Sequence, residues 1–422
     1  MIRLILVASL CLGFLASGAF AADVSIKGSL NETVEASDNY FLLPTPVGTT
    51  LKSLSALNLD FLARTPTTRY LLDTNYSYYK YFGPGAADTS PTSGTPASTT
   101  FSIDHKTDMS KYNFATSWQR RDVATTQLTE SGNATSRGFL DTYNINGGVT
   151  RDLNRTDSIL WSASGTKTSY TNSNQTPYDD FATTGAWIHR FNPTTTLTNS
   201  VTFDWFDADD PAKTERLFWK IMTGLKSQLS SRLTFNASVG EAFANTYQKN
   251  AVQSINPASG TTFQTGATNG AVGDIGLTYQ LLKSTKVSLT AAHSIMPTTL
   301  GQLQEISTIG FLLTHDINHF SNLSFSTQFA NNVLAGVESD LFSTQIGYGY
   351  QLTREWRTRL SYTYRYRTGG QGFAQSSTVL FGLTYDFTML GNPTANGQKE
   401  VETERETMRE TERLGQAFPN LY

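Results

Sequence analysis

The chain has 422 residues, a formal net charge of -3 and one cysteine, Cys11. This charge is too small to suggest binding to nucleic acid or to a strongly acidic partner, and one cysteine excludes an intrachain disulfide. Aromatic residues make up 12% of the chain although its mean hydropathy is -0.30, a combination typical of strands that alternate lipid-facing with water-facing positions.

The first 21 residues have the features of a secretory signal peptide. Arg3 precedes the apolar run LILVASLCLGFLA, and the small-residue sequence AFA ends at Ala21. We expect cleavage after Ala21. Leu10 stands before Cys11 where a lipoprotein signal needs a small residue, so a lipid anchor is not predicted. Loss of Cys11 with the signal would exclude thiol catalysis and cysteine-ligated metal from the mature chain.

Residues 22–387 repeat one unit: an alternating segment, a short turn, another alternating segment and a longer polar loop. The short turns are at residues 64–69, 108–112, 152–157, 192–196, 229–232, 282–286, 316–321 and 352–356. Short turns on one side and long loops on the other are typical of bacterial outer-membrane barrels. The pattern predicts an all-β, antiparallel up-and-down transmembrane β-barrel of about 18 strands, with 16 to 20 as the range and both termini in the periplasm.

The segment WRTRLSYTYRYR, residues 356–367, separates charge from apolar surface. Its arginines share one parity and its aromatic residues the other, so a strand here would have one basic face and one aromatic face. The segment RLFWKIMTGLK repeats this pattern. The residues predicted to line the lumen are Arg357, Arg359, Arg365, Arg367, Arg216, Lys220 and Lys226, with the acidic residues Asp60, Asp73, Asp204 and Asp386. Two interpretations remain open: an anion-selective strip, or arginines that form structural salt bridges with carboxylates.

Tryptophan positions fit two membrane-interface girdles. Trp161, Trp187 and Trp356 lie beside predicted periplasmic turns, and Trp205 and Trp219 flank the predicted external loop DADDPAK. Trp118 falls nearer the middle of a predicted strand and does not fit. The alternative interpretation is that these are core tryptophans of a soluble β-protein.

The segment STVLFGLTYDF resembles the final strand that the assembly machinery of outer-membrane barrels recognises. Its apolar parity ends in Phe381, Leu383, Tyr385 and Phe387, although 35 residues follow where the family strand is C-terminal. Together with the turn EASDNYF, this strand resembles the β-barrel porin families of proteobacterial outer membranes. The resemblance implies contact with outer-membrane lipid, insertion by the barrel assembly machinery and a Gram-negative outer-membrane location.

Residues 388–422 form a separate tail rich in Glu and Arg. Opposite charges spaced i,i+3 favour a helix, but like charges spaced i,i+4 oppose it, as for Glu402 with Glu406. The tail is therefore interpreted as a periplasmic segment, partly helical or disordered. A periplasmic partner bound through it is the alternative role.

The histidines give no pattern typical of catalysis or metal binding. The chain has His105, His189, His293, His315 and His319. Adjacent strand residues point to opposite faces, so His293 and Ser294 would not form a base and nucleophile pair. HDINH places His315 and His319 four apart without a helical context or a third ligand. We predict no enzyme activity, no catalytic residues, no metal and no cofactor.

Barrels of this size enclose an aqueous channel unless loops fill it. The first predicted strand follows the signal so closely that no N-terminal plug domain fits before it. The predicted function is passive diffusion of small polar or anionic solutes through a water-filled channel. The alternative is a barrel that acts as a scaffold, or as an export conduit, for a polysaccharide or an electron-transfer partner. The loops at 83–98 and 246–263 are the candidates to fold inward.

Overall fold

A computed structural model describes most of the predicted barrel region. The described residues are 23–88, 92–131, 136–173, 175–248, 263–297, 303–334, 337–369 and 372–391. The predicted signal peptide, nearly all of the predicted tail and residues 249–262 of the second candidate loop lie outside these ranges.

The described ranges form one large antiparallel sheet. Its strands are β1 (Asp23–Ser37), β2 (Thr50–Arg64), β3 (Thr68–Phe82), β4 (Ser93–Gly94), β5 (Ala97–Lys106), β6 (Ser110–Asp122), β7 (Phe139–Asp152), β8 (Asp157–Thr171), β9 (Tyr178–Asn192), β10 (Thr195–Ala208), β11 (Thr214–Ser230), β12 (Leu233–Gln248), β13 (Phe263–Leu282), β14 (Thr285–Pro297), β15 (Leu303–Asn318), β16 (Ser321–Leu334), β17 (Val337–Gln351), β18 (Trp356–Gly369) and β19 (Ala374–Leu390).

The sheet closes on itself because β1 pairs with both β2 and β19. The two-residue β4 only pairs with Tyr79 and Lys80 of β3, so 18 strands form the wall. The predicted antiparallel barrel of about 18 strands is confirmed. All eight predicted short turns join successive strands of the wall.

Short polar side chains close the tight turns. An oxygen of Thr, Asn or Ser accepts a hydrogen bond from a backbone N–H two or three residues later, which replaces a backbone turn bond. The residues that do this are Thr65, Thr107, Asn154, Asn192, Ser230, Asn318 and Thr353. The turn residues of the sequence therefore fix where each hairpin reverses.

Alternation along each strand separates an apolar outer face from a polar inner face. In β18, Leu360 and Tyr362 are exposed outside, whereas Ser361 is buried inside. Their cross-strand partners share the same faces, since Leu360 lies opposite Phe381 outside and Ser361 lies opposite Leu380 inside, an apolar exception on the inner wall. The segments around Phe101 and Trp187, whose alternation is weak in sequence, form β5 and β9 with the same parity rule.

Two helical segments interrupt the loops at the end of the barrel opposite the tight turns. Residues Pro84–Asp88 form a short 3-10 helix and Val123–Ser131 form α1. Within the described ranges, no helix has the length and apolar character needed to cross a membrane.

The β1–β19 seam contains a ring packed over a glycine. Gly28 and Phe387 are register partners, and a Cβ atom at Gly28 would lie 2.4 Å from Cζ of Phe387 and 3.0 Å from Leu59. The Phe387 ring thus covers the outer surface where β1 carries no side chain. The closing strand continues past Phe387 to Leu390, which pairs with Ile26.

We predict that Gly28→Ala destabilises the barrel by about 1–3 kcal/mol, because the new methyl group displaces the Phe387 ring. Gly185→Ala is the matched control, since no heavy atom lies within 4 Å of a Cβ built there. Denaturant unfolding of both variants in lipid vesicles measures the difference. Equal unfolding free energies for the two variants would contradict a packing role for Phe387 at the seam.

Candidate functional site: the inner wall and mouth of the barrel

The inner wall is hydrophilic and bonds extensively to itself. Asn75 donates to Asn58 on the neighbouring strand, Asn144 donates to Thr166 at 3.0 Å, and the Thr184 and Thr202 hydroxyls are 3.0 Å apart. Many of the buried polar residues of the described chain are serines and threonines on this face. Hydroxyl and amide groups on this wall suit a water-filled interior rather than an apolar core.

The four arginines of β18 all point inward but have different surroundings. Arg357 forms two hydrogen bonds with Asp386, at 2.7 and 2.8 Å, so this pair is a structural salt bridge between neighbouring strands. Arg367 is 2% exposed between Leu341 and Ala374. Arg359 and Arg365 are exposed. The salt-bridge interpretation therefore holds for Arg357, and the exposed Arg359 and Arg365 are the candidates for the predicted anion-selective strip.

The basic residues of β11 show the same division. Arg216 is buried, lies 5.4 Å from the Phe206 ring and donates through Nε to Thr246 at 3.2 Å. Lys220 is partly buried and Lys226 is exposed on the same inner face. Arg216 therefore packs the wall, and Lys226 is the more accessible cation.

The predicted acidic residues all belong to the inner face, but at different positions around the ring. Asp60 and Asp73 are register partners on β2 and β3, and Lys27 of β1 lies opposite Asp60. These strands follow β18 closely around the ring, whereas Asp204 on β10 lies about halfway around. Register places Asp204 opposite Phe218, between the inward positions of Arg216 and Lys220 on β11. Among the predicted acids, Asp204 is the one that lies across the lumen from the arginine strip.

The β1–β2 connection, residues 38–49, folds into the mouth of the barrel. The apolar cluster that holds it, called the mouth cluster here, joins this segment to inward-facing strand residues and to α1. Its buried members are Phe41, Leu42, Tyr79, Tyr81, Ala124, Leu128 and Ala374. Because Tyr79 and Tyr81 belong to the inner face of β3, the segment narrows the lumen at the end opposite the tight turns.

Hydrogen bonds fasten the mouth segment to the closing strand. The Asn39 side chain donates to Gln375 O at 2.9 Å and to Leu43 O at 2.7 Å. Asp38 exchanges two bonds with the backbone of Ser377, which donates to its carboxylate at 2.7 Å and accepts from its N–H at 3.2 Å. Leu42 adopts a left-handed backbone conformation with φ of 53°. A non-glycine residue in this conformation is sustained by the surrounding contacts.

Lys52 is surrounded by three tyrosine rings within this narrowing. Its Nζ lies 5.3 to 5.6 Å from the ring centroids of Tyr40, Tyr79 and Tyr81 and donates to the Tyr40 hydroxyl at 2.8 Å. Desolvation raises the pKa of the Tyr40 phenol, and the Glu35 carboxylate raises it further. Tyr40 therefore stays neutral, and cation–π contacts and one hydrogen bond join the mouth segment to the wall.

The predicted interface tryptophans lie on the outer face. Trp161, Trp187, Trp205, Trp219 and Trp356 are all exposed there. Trp356 packs against Tyr385 at 4.9 Å. Trp118 also has outward parity, opposite Tyr143, and its indole N–H donates to Asp141. In the closing strand, Phe381, Leu383, Tyr385 and Phe387 share the outward parity.

The histidines are distributed along the wall. His105 bonds Thr68, His315 bonds Thr285 and His293 bonds Ser307, each at 2.8 Å, and His189 pairs with Asp157 at 2.8 Å. His319 lies in the tight turn between β15 and β16. Across the described ranges, no three metal-ligating side chains come together.

The mouth cluster is the feature that sequence reasoning did not find. In sequence the EASDNYF turn indicates only a family resemblance, whereas in the structure its Asn39 and Phe41 anchor the inward segment. The consecutive apolar residues Tyr40 to Leu43 break the strand alternation and were the available signal. For the predicted inward loop at 83–98, the structure shows a 3-10 helix and the β4 pairing, with Ala86 packed against the mouth cluster.

Comparisons with known proteins agree with this architecture. No protein-family model and no curated protein sequence matches the chain. OccK2 (OpdF) of Pseudomonas aeruginosa is similar in structure, with 10% identity and a TM-score of 0.50 over 87% of this chain and 99% of that chain. The copper transporter OprC matches with 11% identity and a TM-score of 0.51 over 86% of this chain and 67% of that chain. The fold is that of an outer-membrane porin.

We predict that removing the charge of Asp386 and removing the charge of Arg357 change the ion selectivity in opposite directions. Asp386→Asn leaves the guanidinium unneutralised and increases anion preference, whereas Arg357→Gln leaves the carboxylate and decreases it. Each substitution also costs about 1–3 kcal/mol of stability, since a charge-assisted bond is lost. Reversal potentials across a salt gradient test this, with the double variant close to wild type. Shifts of the same sign would contradict the assignment of both groups to the lumen.

We predict that Phe41→Ala combined with Leu42→Ala raises single-channel conductance. Each core truncation removes about 2–5 kcal/mol of packing, which releases the mouth segment from the lumen. Val47→Ala is the control, because Val47 belongs to the same segment and is 59% exposed. Unchanged conductance in the double variant would show that the segment does not limit flow.

Proposed function

We propose that the chain forms a water-filled channel in the outer membrane of a Gram-negative bacterium, through which small polar or anionic solutes diffuse. The observation that carries this proposal is the pair of exposed guanidinium groups, Arg359 and Arg365, on a polar inner wall. Fixed cations in a narrow aqueous path concentrate anions and repel cations.

The arrangement of charge around the ring supports anion preference. Arg359 and Arg365 stand on one side of the ring, and on the far side the Asp204 carboxyl group lies between the inward positions of the cations Arg216 and Lys220. Arg365 lies opposite Ser376 on β19, next to Gln375, whose carbonyl oxygen accepts a hydrogen bond from Asn39, so it stands beside the mouth segment. A fixed charge has the greatest influence on permeation where the path is narrowest.

The mouth cluster narrows the entrance, so only small solutes would pass. It is built on strands β2, β3, β17 and β19 and on α1, so it narrows one side of the entrance. The path then runs between this cluster and the opposite wall. A porin-type channel with such an entrance requires neither a cofactor nor catalytic residues.

The outer surface supports the membrane location. The exposed apolar residues of the outer face would contact lipid, and Trp161, Trp187, Trp205, Trp219 and Trp356 would lie at its interfaces. Export through a cleaved signal peptide and insertion by the barrel assembly machinery complete this proposal. Membership of the outer-membrane porin families is part of it.

The first test is conductance of the refolded mature protein in a planar bilayer. We expect discrete single-channel steps and a reversal potential that favours anions. Arg359→Gln with Arg365→Gln should move the reversal potential toward cations, since two lumen cations are lost. Arg354→Gln is the matched control, because Arg354 is exposed in the tight turn before β18.

Two outcomes would contradict the proposal. Folded protein that gives no steps would have a filled lumen, which is what the scaffold interpretation requires. An unchanged reversal potential in the variant that lacks Arg359 and Arg365 would show that these arginines do not determine the ion selectivity of the channel.

A further inference from the structure

The turn-side rim of the lumen, at the opposite end of the barrel from the mouth cluster, carries a group of cations. This group, called the rim basic group here, consists of Arg64, Arg69, Lys106 and Lys111. Its members stand on the consecutive wall strands β2, β3, β5 and β6, and all have inward parity. Register places Arg64 opposite Arg69 and Lys106 opposite Lys111, at two neighbouring tight turns.

The two arginines of the group also stand opposite carboxylates. Asp23 of β1 lies opposite Arg64, and Asp104 of β5 lies opposite Arg69. Opposite charges on facing positions of neighbouring strands attract each other. The arginine half of the group therefore has acidic neighbours within the wall.

The two lysines carry the excess positive charge. Lys106 and Lys111 face each other and both are exposed, and like charges in this position repel. Neither lysine forms an ion pair with a residue of the described ranges. Asp152 of the next strand, β7, accepts a hydrogen bond from Ser158 and lies 3.8 Å from a guanidinium nitrogen of Arg190. The lysine pair is therefore open to an acidic group from outside the wall.

The C-terminal tail leaves the wall at this same rim. The closing strand β19 reaches Leu390, which lies opposite Ile26 of β1. Gly391 follows with φ of 96°, and a Cβ atom there would lie 2.5 Å from the carbonyl oxygen of Val24. Only glycine permits this close passage. The following sequence therefore starts two strands from Arg64, the first member of the rim basic group.

The tail has both the charge and the reach to meet the group. Residues 400–413 contain six glutamates and three arginines, so this segment is acidic overall. The nine residues 391–399 that precede it span about 15–18 Å as a flexible linker. Strand β5 is four strand spacings from β19, which is about 19 Å along the wall. A segment tethered at such a distance has a high effective concentration at the group.

We propose that the glutamate-rich segment 400–413 of the chain's own tail binds the rim basic group and thereby obstructs the turn-side entrance of the channel. The inference rests on the proposed function, because obstruction requires a conducting lumen, whereas the docking can be measured without conduction. The contact is reversible, since exposed ion pairs are individually weak. Bound glutamates occupy the cations that an anionic solute would otherwise meet, so the tail and the solute compete.

Single-channel recording of the refolded mature protein at about 0.1 M salt tests the obstruction. Wild type should close reversibly when a positive potential on the loop side draws the acidic segment into the lumen, and stay open at the opposite polarity. Replacing all six glutamates of residues 400–412 by Gln should lower the blocked-to-open ratio at least about tenfold. Lys106→Gln with Lys111→Gln should lower it about three- to tenfold, since two exposed ion pairs are lost. Closures should also decrease at about 1 M salt, where charges are screened within about 3 Å.

Lys226→Gln is the matched control for the lysine variant. Lys226 is an exposed, inward-facing cation near a tight turn, but it stands on β11, on the far side of the ring from β19. Its removal should leave the closures unchanged. An equal decrease in this control and in the Lys106 and Lys111 variant would overturn the assignment of the tail to the rim basic group.

Crosslinking tests the docking without a current. In a Cys11→Ser background, we combine Met408→Cys in the tail with Asn113→Cys, which is exposed and follows Lys111 on the inner face of β6. Oxidation of folded protein in vesicles should give an intrachain disulfide, and the six glutamate-to-glutamine changes should slow its formation. Thr234→Cys with Met408→Cys is the control, because Thr234 lies on the inner face of β12 across the lumen. This pair should stay reduced.

The outcomes separate the inference from the proposed function. A folded protein without the crosslink between positions 113 and 408 would overturn the docking, whatever its conductance. A crosslink together with an unchanged blocked-to-open ratio in the glutamine variant of the tail would overturn the obstruction and leave the channel intact. A barrel that is silent with either tail would contradict the proposed function, while the crosslink still decides the docking.

Discussion

The requirement that every backbone polar group be paired governs this structure. A sheet edge in hydrocarbon would leave N–H and C=O groups without partners, and closure removes both edges. The closure falls at the β1–β19 seam, where residues near the two ends of the described chain come together. Gly28 and Phe387 fit each other there, so side-chain packing reinforces the hydrogen bonds that complete the ring.

Closure also decides which residues meet water. Once the ring is formed, a shift of one residue would turn every inward side chain outward. The arginines of β18 and the serines and threonines of the other strands are inside for this reason. Inward-facing residues then differ in their surroundings, since Arg357 is held in a salt bridge and Arg365 is exposed.

The barrel was predictable because its information is local. Period-two alternation and turn residues such as Asn154 and Asn192 lie within a few positions of the features they specify, so the strand number and the eight tight turns could be read from the chain. The inward parity of Arg216 was equally clear. Its burial against Phe206 was not, because that depends on the register of β10 with β11. The mouth cluster likewise depends on contacts between Phe41, Tyr79 and Leu128, which are far apart in sequence. The lumen roles of individual charges depend on positions around the ring and remain predictions.

The attachment of the mouth segment to β19 has a consequence for biogenesis. Asn39 and Gln375, which are 336 positions apart, can bond only after the last strand has docked against the first. Contacts of such long range form late, since the entropy of closing the intervening chain must first be overcome. Phe41 and Leu42 can pack on Tyr79 and Leu128 before that step, because β3 and α1 do not need the closed ring. Completion of the wall therefore adds the hydrogen bonds that fix the mouth segment in place.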